Sequence, residues 1–97
     1  MNRQEHLLIK LMEECAELQK ECSKALLFGL QDYAPGFQVF QVTNEEKMLY
    51  EFNEILAVAE MLMQEGVNIH RNDFCIETKK EKVEKWLLYS KEKGTLQ

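Results

Sequence analysis

The sequence of 97 residues predicts an all-α fold, a helical bundle formed by a long antiparallel helical hairpin and a third helix and completed by oligomerisation. Three observations predict it. Apolar residues recur at three- and four-residue spacing along three stretches. Thr-x-x-Glu capping boxes stand at Thr43–Glu46 and Thr78–Glu81. Gly29, Gly66 and Gly94 each follow the last periodic residue of a stretch, where a helix ends most easily on a residue free to leave the right-handed region.

The first stretch begins near Arg3 and runs through Leu7, Leu8, Leu11, Cys15, Leu18, Cys22, Ala25 and Leu26 to Gly29, a helix of about 25 residues. At roughly 100° per residue, Leu11, Cys15, Leu18, Cys22 and Ala25 line one apolar face, with Glu14, Glu17 and Glu21 in a row along its flank. From Leu30 to Val42 the period breaks at Asp32, Pro35 and Gly36, and the partial alternation of Phe37 to Val42 suits a short strand in a loop. The second helix, of about 22 residues, opens on the Thr43 box. Its stripe is Met48, Phe52, Ile55, Ala59 and Leu62. Val67 to Glu77 reads as a polar connection, and the third helix starts at the Thr78 box, with Val83, Trp86, Leu87 and Ser90 on one face.

Composition bounds the function. The chain is 45% hydrophobic and 30% charged, with no run of about 18 apolar residues, so one soluble domain over 1–97 with no membrane partner is expected. From the polar start, with no apolar export segment behind it, a cytoplasmic location is expected. Three cysteines cannot all pair, and Cys15 and Cys22 on the apolar face are expected as buried thiols. Residues 1–66 hold 5 basic and 12 acidic residues, a net −7, whereas 67–97 hold 7 and 5, a net +2. The acidic whole argues against general nucleic-acid binding, whose affinity comes from basic side chains on phosphates. A core drawn from three such helices is thin for a chain this short, and a homodimer or homotetramer remedies that.

The carboxylates carry the chemistry. Like charges one turn apart cost a helix a few tenths of a kcal/mol per pair, so the ridge of Glu14, Glu17 and Glu21 calls for a counter-charge. On the second helix Glu51 lies only about 40° around from Ile55, within the apolar stripe. An inward carboxylate must be paired, protonated or metal-bound, because leaving it unpaired costs several kcal/mol. An inter-helix salt bridge to a lysine is the plain alternative. If the two long helices pack antiparallel, Glu14 and Glu17 face Glu51 and Glu54, and four carboxylates around one point suit a hard cation, Mg²⁺ before Ca²⁺, which keeps waters and binds substrate phosphates.

Glu14-Cys15-Ala16-Glu17 followed after a loop by Glu51-Phe52-Asn53-Glu54 resembles the paired acidic signature of the MazG-like, all-α nucleoside triphosphate pyrophosphohydrolases, Glu-x-x-Glu and then Glu-x-x-Asp. The surroundings, Glu13 to Gly29 and Asn44 to Met63, and the Lys-Lys-x-Lys-Val-Glu-Lys-Trp run within Lys79 to Leu96 resemble the family too. Glu54 departs from the pattern by one methylene.

The resemblance implies Mg²⁺-dependent hydrolysis, with Mn²⁺ as a substitute, of a nucleoside triphosphate to the monophosphate and pyrophosphate. Glu14, Glu17, Glu51 and Glu54 are then the catalytic and metal-binding residues, and Lys82 and Lys80 the phosphate contacts. Lys79 and Lys80, in the first turn of the expected third helix, stand where the helix dipole disfavours cations and a bound anion would offset the cost; solvated lysines are the alternative. Lys20 and Lys24 are either substrate contacts or i,i+4 partners of the glutamates. Asn53 and Trp86 are candidates for the base, with Phe28, Tyr33, Phe37 and Phe40 behind them, although aromatics at helical spacing also serve as core. His6 and His70 read as surface residues. Two other functions stay open: a non-catalytic helical module whose acidic ridge docks a basic partner, and a dUTPase-like or phosphoribosyl-ATP pyrophosphatase-like activity.

Overall fold

A computed structural model describes residues 1–33 and 41–97. Its helices are α1 (Arg3–Phe28), α2 (Asn44–Gln64) and α3 (Asp73–Glu92). Among the described residues there is no strand, and Tyr33 and Thr43 form an isolated antiparallel bridge. Of the stretch suited to a short strand, Phe37 to Phe40 lie outside the described residues, and Gln41 and Val42 belong to no strand. No helix among the described residues is long and apolar enough to cross a membrane.

Local chemistry sets the ends. Asn2 caps α1 through a reciprocal box: its Oδ1 accepts from the Glu5 N–H at 2.8 Å, and Glu5 Oε1 accepts from the Asn2 N–H at 3.3 Å. Gly29, at φ +100°, ends the helix in a conformation strained for any side chain, and its N–H donates to the Ala25 carbonyl at 2.8 Å. At α2 the Thr43 Oγ1 accepts from the Glu46 N–H at 3.1 Å. Glu46 Oε1 accepts from the Thr43 hydroxyl rather than from its N–H.

α1 and α2 pack side by side. Arg3 pairs with Glu65 at one end, and at the other Asn44 Nδ2 donates to the Gly29 carbonyl at 2.9 Å while the Glu45 N–H donates to the Leu30 carbonyl at 3.0 Å. The start of each helix thus meets the end of the other, so they run in opposite directions. Their facing sides are heptad rows, Gln4, Leu7, Leu11, Glu14, Leu18, Glu21 and Ala25 on α1 and Asn44, Met48, Glu51, Ile55, Val58, Leu62 and Glu65 on α2, all buried or half-buried. The sequence reading merged these rows with their neighbours. Cys15 and Cys22 are exposed, as is Cys75, which corrects the expectation of buried thiols. Cys15 and Cys22 each stand one residue beyond a seam position, about 100° around the helix, and one partner helix covers too narrow an arc to reach them.

α3 departs further from expectation. Asn72 caps it, its Oδ1 accepting from the Cys75 N–H at 2.9 Å, so the helix begins five residues before the Thr78 box and Asp73 to Glu77 are helical rather than a connection. Asn is at least as good a cap as Thr, and no helix breaker lies between the two sites. Among the described residues α3 packs on neither α1 nor α2, so within one chain the expected third member of the bundle stands apart. It buries none of its residues.

Candidate metal centre

The antiparallel rows decide which acids meet. Glu14 lies mid-way along the α1 seam and Glu51 mid-way along the α2 seam, and Glu54, one turn on from Glu51, stands at its edge. One carboxylate oxygen from each of Glu14, Glu51 and Glu54 lies within 4.8 Å of the other two. Glu14 and Glu51 are half-buried and Glu54 is exposed. Glu17 is exposed and outside this group, so three of the four expected carboxylates are gathered. It stands about 60° around the helix from Glu14 and one turn further on, on the solvent side of the seam.

Among the described residues the three acids form no salt bridge, although the Lys10 charge acts on Glu14. No lysine or arginine pairs with Glu14, Glu51 or Glu54 among the described residues, so the alternative of an inter-helix salt bridge at Glu51 is not realised there. Glu51 Oε2 is buried with no hydrogen-bond partner among the described residues. A buried carboxylate oxygen facing other carboxylates is satisfied by a shared proton or by a cation. Desolvation, then the hydrogen bond and charge of Glu54 and those of Glu14, push the Glu51 carboxyl up to about 7. Glu14 is raised as well, first by its hydrogen bond with Glu54, then by partial desolvation and the Glu54 charge, against lowering contributions from Glu51 and Lys10.

The donor set fits a hard divalent cation. Metal–oxygen distances of about 2.0–2.1 Å for Mg²⁺ and 2.3–2.6 Å for Ca²⁺ put ligand oxygens on opposite sides of the ion roughly 4–5 Å apart, and adjacent ones closer. Oxygens all within 4.8 Å of one another lie in that range. Their side chains are oxygen donors throughout, with neither sulfur nor imidazole among them, which favours Mg²⁺, Mn²⁺ or Ca²⁺ over softer ions.

The other candidates are dispersed. Lys24 Nζ lies 3.5 Å from Glu21 Oε1, an i,i+3 contact on the same helix, while Lys20 is exposed and in no ion pair among the described residues. Asn53 Nδ2 donates to the Leu49 carbonyl at 2.8 Å, and the residue lies about 200° around α2 from Glu51, away from the acids. Lys80 pairs with Glu77 at 3.1 Å and, with Lys79, sits in the second turn of α3 rather than the first. The dipole argument for an anion there therefore falls. Lys82 is exposed, and Trp86 is 63% exposed with its ring edge-to-face on Tyr89 at 5.8 Å.

Two features escaped the sequence. Glu21, read as part of a flank, is buried two turns beyond Glu14 with its Oε2 unbonded. The seven-residue spacing from Glu14 was the available signal, since a heptad returns to the same side of a helix. A cleft of about 470 Å³ before α3 gathers His70 and Arg71 with Lys79 and Lys80. Arg71 is held there by Asp73 at 2.9 Å, and only the earlier helix start brings these residues together. No family model, curated protein or solved structure matches the chain.

Proposed function

We propose that this chain is a nucleoside triphosphate pyrophosphohydrolase, as the MazG-like resemblance of its acidic pairs implies, working in the cytoplasm as a homodimer or homotetramer. In this reading α1 and α2 form the antiparallel hairpin of a bundle that α3 and further copies of the chain complete. The observation that carries it is Glu51, a half-buried carboxylate with one oxygen buried and unbonded, set against Glu14 and Glu54 with no salt bridge to a basic residue among the described residues. A ridge that docked a basic protein would keep its charges in water. Burying them without partners costs stability, which a shared proton or a bound cation offsets.

Glu14, Glu51 and Glu54 hold the cation, Mg²⁺ or Mn²⁺, with Glu17 on the solvent side as the fourth carboxylate. When bound, the cation neutralises the triphosphate and polarises its phosphoryl oxygens. The residues of the chain do the rest. The two helices fix the carboxylates before substrate arrives, so little reorganisation is left for the reaction itself. Water adds to the α-phosphorus, the bond to the bridging oxygen breaks, and pyrophosphate leaves. A carboxylate of the cluster takes the proton from that water. Lys82, Lys80, Lys20 and Lys24 as phosphate contacts, and Asn53 and Trp86 as base contacts, belong to the same proposal, and their dispersal within one chain means that substrate or a second copy must bring them to the acids.

The test is a panel of standard and modified nucleoside triphosphates with Mg²⁺, assayed separately for pyrophosphate and orthophosphate. Pyrophosphate as the first product is expected, since the chain has no glycine-rich loop of the kind that cradles phosphates for terminal phosphate release. Orthophosphate as the first product, or no turnover across the panel, contradicts the reading.

A further inference from the structure

Two clefts meet at the start of α3. The larger, of about 670 Å³, is a trough lined on one side by Phe52, Leu56, Ala59 and Met63 of α2 and on the other by Ile69, after α2, and Ile76, in the first turn of α3. From Phe52 to Met63 it runs about 16 Å at the rise of a helix. The smaller is the cleft of about 470 Å³ that Lys79 and Lys80 line. His70, Arg71 and Ile76 line both, so the apolar trough opens into a basic cleft.

The trough is apolar surface that the chain leaves unfilled. Phe52, Leu56 and Met63 are 50%, 45% and 45% exposed, and Ile69 and Ile76 stand half-buried across from them. Its volume falls within the roughly 300–1,000 Å³ of small-molecule sites. The cleft holds charge that the fold uses little. Arg71 pairs with Asp73 at 2.9 Å and Lys80 with Glu77 at 3.1 Å, but all four side chains are at least 65% exposed. Exposed pairs of this kind contribute little and give way to a ligand's anion. Lys79 forms no salt bridge among the described residues. Glu60 is the one acid among the residues lining the trough. It sets a direction, because an anionic head is repelled there and drawn to Arg71 and Lys79.

We propose that trough and cleft together bind a straight-chain fatty acid, its acyl chain between α2 and the Ile69 and Ile76 side and its carboxylate on Arg71 and Lys79. Size separates this occupant from a protein segment. A helix about 10 Å across laid over the same 16 Å fills roughly 1,300 Å³, about twice what the trough offers. Charge separates it from an uncharged lipid, whose head gives Arg71 and Lys79 nothing to pair with. Each methylene that displaces water from the trough tightens binding up to about fourfold.

The inference goes beyond the hydrolytic reading and uses neither its cation nor its acids. Decanoate binding without turnover, or turnover without decanoate binding, lets one reading stand and the other fall. The test is calorimetric titration of the full chain with decanoate, octanoate, decanol and acetate, each below its aggregation concentration. Decanoate is expected to saturate at one per chain, octanoate to bind at least about fivefold and decanol at least about tenfold more weakly, and acetate not to bind. Arg71→Gln with Lys79→Gln is expected to bring decanoate down to the affinity of decanol, and Leu56→Glu to abolish both with the circular dichroism unchanged. Equal binding of decanoate and decanol overturns the proposal, as do several decanoates per chain without saturation, which is adsorption to apolar surface, and binding that Leu56→Glu leaves intact. Heat that disappears as the chain self-associates gives the trough to a second copy and overturns it too. If a variant fails to fold, the four ligands on the wild-type chain decide alone.

Discussion

The seam between α1 and α2 and the face beside it misplace polarity in opposite ways. The seam, where apolar side chains belong, holds Glu14, Glu21 and Glu51; the face, where charges belong, holds Leu8, Met12, Phe52 and Leu56. A carboxylate cluster in the seam calls for a cation, and an exposed apolar face calls for an apolar partner.

The sharpest break in the comparison is Glu51→Gln, which keeps the size of the side chain and removes its charge. Pyrophosphate release is expected to fall at least about a hundredfold, roughly 2.7 kcal/mol of transition-state stabilisation, with the helical circular dichroism unchanged. Retention of more than about a tenth of the activity contradicts the assignment of Glu51. Leucines separate seam from face by stability. Leu62 is fully buried, and Leu62→Ala is expected to cost about 2–5 kcal/mol in urea unfolding. Leu26→Ala, measured dilute enough for the chain to be monomeric, is expected to stay within about 0.5 kcal/mol. Equal losses at the two sites would mean that the face is already covered within one chain.

A smaller effect follows from pH. The Glu51 carboxyl stands at about 7 against an ordinary 4.5, so its protonated form is favoured by folding. That contribution to stability is complete below about 4.5 and is lost as pH rises through 7, where an unpaired charge appears in the seam. Without divalent metal, Glu51→Gln is therefore expected to melt higher than wild type at pH 8, with the difference shrinking toward pH 5. A difference that does not change with pH would place the charge of Glu51 outside the seam.

Much of this was legible in the sequence because it depends on local chemistry. The glycine stops at Gly29, Gly66 and Gly94, the Thr43 cap and the inward angle of Glu51 are all set by residues within a turn or two. What was not legible depends on where the partner helix lies. Leu11 and Cys15 look alike in a helical projection, and only the position of α2 puts one in the seam and the other on the open face. Glu14 and Glu17 are separated by the same circumstance. The start of α3 was obscured differently: Asn72 and Thr78 are both good caps, and the Thr-x-x-Glu pattern marks the later one although the helix already runs through it. Cap Oδ1 to N–H geometry settles in favour of Asn72 what composition left equal.

The central claim is that Glu14, Glu51 and Glu54 form one cation site, and thermal melting with and without Mg²⁺ tests it without any substrate. The folded chain presents the site and the unfolded chain does not, so metal at about 100 times its Kd stabilises the native state by roughly 2.7 kcal/mol, on the order of 10 °C for a domain of this size. At fixed ionic strength, wild type and Glu45→Gln, whose change lies at the far end of α2, are expected to show that rise against chelator, and Glu14→Gln and Glu51→Gln to lose it. An identical response to Mg²⁺ in wild type and Glu51→Gln would contradict the account and leave the acidic ridge as a docking surface.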